Sequence, residues 1–200
     1  MEVFIMNKDV KIEYLSKLSK LNGLNYLIAM ILFGAAPTIK YIKPSNLITI
    51  STKFNMLELW LQKKELICDY LNLRYLSLRE DTHSHTILFF NPKVLSNHLL
   101  QDENNFYLSQ YGYNIEFKYQ LEKLKANFNK KFPHEIGVFL GIPPMDVEGF
   151  TRNNGKNYLL NSYWKVYCNL KEALKLFDKF DQARIESIHY IDKSKDHFIK

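Results

Sequence analysis

The chain has 200 residues, 46% of them hydrophobic and 24% charged, with only 7 Gly and 6 Pro. Those proportions fit one globular domain with a sizeable core and exclude a fibrous or disordered chain. The formal net charge of +6 would suit an acidic partner, but Lys is scattered beside Glu and Asp instead of gathering into a patch.

Taken in chain order, residues 8–20 place Ile12, Leu15 and Leu18 three apart, which predicts one face of a helix. Leu24, Leu27, Ile28, Ile31 and Leu32 continue the pattern, with Gly23 dividing the two. The stretch 21–39 carries no charge, but Asn22, Gly23, Asn25 and Pro37 interrupt it, so a buried helix is expected and not a membrane span. No signal peptide is expected, because its leading region would contain Asp9 and Glu13. A cytoplasmic protein is the expectation. Pro37 ends the helix in a turn over 35–38.

The run NLITI, 46–50, predicts a strand. Residues 54–71 predict a helix with Leu57, Trp60, Leu61, Cys68 and Leu71 on its buried side. LRYLSLRE and HTILFFN read as two strands of a hairpin, joined through 81–84. Asn91-Pro92 opens a helix to about Leu100, and 104–111 form another that ends at Gly112. Phe117, Leu121, Leu124 and Phe128 mark an amphipathic helix. Residues 158–169 have the aromatic and β-branched content of one strand. A final helix follows Asn169, with Ala173, Leu174, Phe177 and Phe180 buried, and 188–200 read as a polar tail. The sum is a helix-rich α+β domain over 8–187, with a small mixed or antiparallel sheet.

The segments APTIKYIKPSNLITI (36–50), FPHEIGVFLGIPPMDVEGF (132–150) and GKNYLLNSYWKVY (155–167) carry a resemblance. The chain resembles the bacterial family called domain of unknown function 3793, over residues 10–185 in the same order. That family, mostly of anaerobes, usually has a His-Cys pair just before Ala-Pro-Thr. Here those positions are Gly34 and Ala35, which argues against thiol or metal chemistry there. The resemblance implies a cytoplasmic protein of uncharacterised function and supplies no catalytic residues.

The candidate site must therefore come from the residues themselves. No P-loop, dinucleotide fingerprint or zinc-protease, hydrolase or kinase signature is present. Cys68 and Cys168 form no CxxC or Cys/His cluster, and His83 and His85 lack further ligands in view, so no metal site is assigned. No residue set specifies a cofactor. In 132–150, Pro133 starts a helix that holds His134 and Glu135 in its first turn, and Gly141 stops it. His134 and Glu135 could act as a general acid/base couple. The same corner has helix-turn-helix spacing in Gly137, Gly141 and Val147. However, its second helix would offer Met145, Asp146 and Glu148 to DNA, and acids repel phosphates. Gly155 and its Asn neighbours make a turn beside Arg152 and Lys156, and Lys165 follows on the strand, opposite to Trp164.

The leading expectation is a site for a small anionic or polar ligand, built from Thr38, His134, Glu135, Arg152, Lys156 and Lys165. His134 would be the acid/base if the protein is an enzyme. A nucleic-acid-binding regulator using 135–153 stands second. A protein-docking module with exposed Tyr107, Tyr111 and Tyr113 stands third. No membrane partner is expected.

Overall fold

The computed structural model describes residues 8–130, 132–193 and 198. Its architecture follows from one strand, β3 (Ser84–Phe90). Successive strand side chains point to opposite faces, so Ile87 and Phe89 enter one core while Leu88 and Phe90 enter another. A strand buried on both faces needs a continuous apolar run, and ILFF supplies it. β1 (Ser45–Ser51) and β2 (Arg74–Glu80) flank β3, both antiparallel, giving the order β1-β3-β2. The β2–β3 hairpin is the one expected from the sequence.

Helices cover both faces of this sheet. On one lie α1 (Lys8–Leu18), α2 (Gly23–Gly34), α4 (Met56–Tyr70) and the end of α10 (Leu170–Lys193). Trp60 of α4 anchors that layer, edge-on to Phe89 at 5.3 Å and to Tyr75 at 5.2 Å. On the other lie α5 (Pro92–Leu99), α6 (Asp102–Ser109), α7 (Phe117–Lys130), α8 (Ile136–Phe139) and α9 (Pro144–Arg152). A third cluster sets Trp164 against Phe177 and Phe180 of α10. The fold is thus α+β, helix-rich, with small antiparallel sheets.

Several expectations change. The buried face of α1 is Tyr14 and Leu18, while Ile12 and Leu15 are exposed, because Tyr14 stacks on Phe33 at 3.7 Å. The turn after α2 is a single helical turn, α3 (Ala36–Ile39). Pro37 sits in its first turn, where a missing N–H costs nothing. Leu61 faces solvent, because the buried stripe of α4 runs through Met56, Leu57, Trp60, Ile67 and Cys68. The single strand expected over 158–169 is instead a tight hairpin of two short strands, β4 (Leu160–Asn161) and β5 (Lys165–Val166). The chain reverses between them, with the Ser162 N–H donating to the Trp164 carbonyl. The polar tail expected from residue 188 is helical to Lys193, with Ile188, Ile191 and Phe198 buried. These apolar side chains close the first core. Residues 194–197 and 199–200 of that expected tail lie outside the described residues. Among the described residues, no helix is long and apolar enough to cross a membrane.

Candidate functional site

The corner 132–150 is built around close approaches. Gly141 ends α8 at φ +77°, and a Cβ there would lie 2.7 Å from Pro44 Cδ. A Cβ on Gly137 would lie 2.6 Å from Val147 Cγ2, so the two helical pieces touch at the glycine. Ser45 Oγ donates to the Phe139 carbonyl at 2.7 Å, pinning the corner to β1. His98 Nε2 lies 2.9 Å from the Val138 carbonyl and ties α5 to α8. Its pKa is lowered mainly by burial, which fits a structural imidazole. Packing therefore explains the Gly and Pro pattern. α8 is a single turn, shorter than the first helix that helix-turn-helix spacing implied. Met145 and Glu148 are exposed on α9, and Arg152 is paired to Glu148 at 2.5 Å.

Two acids of this corner turn inward. Asp146 is 2% exposed, not offered to a groove as its position suggested. Its Oδ2 accepts from Trp164 Nε1 at 2.7 Å, and its Oδ1 accepts from the Tyr167 and Cys168 N–H groups at 2.7 and 3.0 Å. One carboxylate thereby fastens β5 to the start of α9. Gly149 allows the same contact on its other side, because a Cβ there would lie 2.6 Å from the Tyr167 ring. Glu135 is 5% exposed and accepts from Tyr113 Oη at 3.2 Å and Asn127 Nδ2 at 3.0 Å. It ties α8 to α7 and the loop before it.

His134, its neighbour in sequence, goes the other way. It is exposed, with its ring 5.8 Å from Phe150, and it lines a cleft of about 220 Å³. Lys165 lines the same cleft. Its ammonium donates to the Gly155 carbonyl at 2.6 Å and sits over the rings of Phe150 at 5.7 Å and Tyr158 at 5.1 Å. Gly155 is needed there: at φ +69° its Cβ would crowd both Phe150 and Lys165 Nζ. Ile136, Leu140, Ile142 and Val147 supply the apolar wall, and Trp164 closes it.

Of the expected site residues, the structure brings together His134 and Lys165. Glu135 is engaged in the core. Thr38 is fully buried in α3, away from the cleft lining, and its Oγ1 has no hydrogen-bond partner among the described residues. Arg152 is exposed on α9, and Lys156 is exposed on the turn after Gly155; neither lines the cleft. Trp164 is buried against Phe177, as core. Of the tyrosines expected in a docking patch, Tyr107 and Tyr113 are buried and Tyr111 is exposed. Burial pushes the Cys68 thiol up to about 12 and the Cys168 thiol, beside Asp146, up to about 11. Neither supplies a thiolate at neutral pH. Among the described residues, no three His, Cys, Asp or Glu side chains could share a metal.

A larger cleft, of about 480 Å³, was not legible as a site in the sequence. It lies where the ends of α3 and α4 meet the C-terminal half of α10, and Tyr41, Tyr70, Asn72 and Tyr190 stand on its lining.

The chain belongs to a family described as protein of unknown function, DUF3793, whose model matches residues 31–198. No curated protein and no solved structure matches it.

Proposed function

We propose that the protein binds a small carboxylate with an apolar body in the cleft between His134 and Lys165. The observation that carries this reading is convergence. Asp146 also lines the cleft, but its carboxylate is committed to Trp164, Tyr167 and Cys168; His134 and Lys165, from separate segments, reach one cleft and one ring, Phe150. Lys165 gives one of its three N–H groups to Gly155, which leaves two for a bound anion. The remaining wall is mostly hydrocarbon, so an ion without an apolar part would leave it unfilled. The volume holds roughly seven waters at liquid density, which suits a short-chain acid.

His134 would lie beside the bound carboxylate, and in an enzyme it is the group placed to exchange a proton with substrate. It would act without Glu135, whose carboxylate is committed to Tyr113 and Asn127.

Ligand-observed NMR with the series from acetate to hexanoate tests the reading. Affinity should rise with chain length until the cleft is full, and Lys165→Met should weaken it by about tenfold or more. Arg152→Ala should change nothing. Equal binding by wild type and Lys165→Met would remove the reading.

A further inference from the structure

Two helices end at the larger cleft in the same way. In α3, the Tyr41 N–H donates to the Thr38 carbonyl at 3.0 Å and the Ile42 N–H to the Pro37 carbonyl at 2.9 Å. In α4, the Asn72 N–H donates to Asp69 at 3.2 Å and the Leu73 N–H to Cys68 at 2.9 Å. Both are Schellman caps, whose left-handed residue is usually Gly and sometimes Asn. Asn72, at φ +52°, is the accepted substitute. Tyr41, at φ +59°, is not: a Cβ clashes in this conformation, and little core packing offsets it, because the residue is 56% exposed. The two cap residues are joined, Asn72 Nδ2 donating to Tyr41 Oη at 3.0 Å. A strained aromatic residue is thus held in a fixed pose on the lining of a 480 Å³ cleft.

The chemistry of the cleft narrows its ligand. Its lining includes apolar Leu32, Ala36, Leu71 and Ala183. Its charges, Lys40 and Glu186, neutralise each other at 2.6 Å. Tyr70 and Tyr190 meet through their hydroxyls at 2.7 Å. The carboxyl end of α4, which carries partial negative charge, also points here and disfavours an anion. We infer that this cleft is a second binding site, selective for an uncharged ring-bearing molecule that packs against Tyr41. This site is independent of the carboxylate cleft.

A matched pair of dyes tests it. N-phenyl-1-naphthylamine is uncharged, and 8-anilinonaphthalene-1-sulfonate has the same rings with an added sulfonate. The uncharged dye should bind saturably and more tightly than the anionic one. Tyr41→Gly should weaken it by about tenfold, in line with an aromatic anchor, while raising the melting temperature. Ala183→Leu, which adds bulk to the lining, should abolish binding, and Lys165→Met should leave it unchanged. Tighter binding of the sulfonate, or an uncharged-dye affinity that Tyr41→Gly leaves unchanged, would overturn the inference. So would a fall in melting temperature for Tyr41→Gly, because the tyrosine would then be there for the fold.

Discussion

Replacing Asp146 should unfasten β5 from α9. In Asp146→Ala the Trp164 indole N–H and the Tyr167 and Cys168 backbone N–H groups lose their acceptor together. A buried donor left unpaired costs about 1–3 kcal/mol. Trp164 is buried, whereas Tyr167 and Cys168 are half-buried, so water can reach the latter pair and the low end applies to them. The expected loss is therefore about 3–5 kcal/mol, a large part of a typical stability of about 5–15 kcal/mol. Asp146→Asn should cost less, about 2 kcal/mol, because its single oxygen can still serve the two backbone donors while its amide faces the indole N–H. Adding Trp164→Phe removes that opposed donor. The double mutant should then be more stable than the sum of the singles by about 1 kcal/mol. Urea unfolding followed by circular dichroism reads the wild type, Asp146→Ala and the three variants of the Asn/Phe cycle without relying on Trp164 fluorescence. A cost below about 1 kcal/mol for Asp146→Ala, or strict additivity in the cycle, would refute the clasp.

Three further outcomes follow from the same geometry. Gly141→Ala should cost about 2–4 kcal/mol in urea unfolding, because a left-handed residue gains a Cβ that meets Pro44. Glu135→Gln should lower stability by about 1–2 kcal/mol yet leave carboxylate binding unchanged; a loss of binding would show that Glu135 serves the site. Lys43 should make stability depend on pH. Burial, and then the neighbouring Arg184, lower its amine from 10.5 to about 7. Above 10.5 the amine is neutral whether folded or unfolded. As the pH falls from there to 7, only the unfolded chain takes up the proton, and stability drops by about 5 kcal/mol at most. Lys43→Met should flatten the curve between pH 7 and 9.5 and raise stability at pH 7. Parallel curves for the two proteins would contradict that.

The legible parts of this fold were those set by local period. The apolar run of β3 was legible as a strand of a hairpin, whereas its coverage on both faces came only with the docking of the helices. The stripe of Leu124 and Phe128 likewise specifies α7. What could not be read is where polar groups go once those elements dock. Asp146 and Glu148 look alike at a helix start. Only the arrival of Trp164, Tyr167 and Cys168 makes the first a buried clasp and leaves the second to Arg152. The same holds for His134 and Glu135, adjacent in sequence and facing opposite surroundings. The hairpin at 158–169 was misread because aromatic and β-branched content signals a strand but not where it reverses, and the reversal is held by the Ser162 N–H on the Trp164 carbonyl. The tyrosine cleft left a weaker trace. Asn72 just past the amphipathic helix is a cap signal, but Tyr41 in a glycine position gives no local warning.

If His134 and Lys165 face one ligand, adding that ligand must perturb the His134 ring. The most direct measurement follows the His134 ring resonances in ¹H–¹³C spectra while butyrate is added. A saturable shift of His134 is expected in the wild type and is lost in Lys165→Met, with the half-buried His98 ring unmoved in both. A His134 resonance that stays fixed, or that shifts equally in the two proteins, would contradict it.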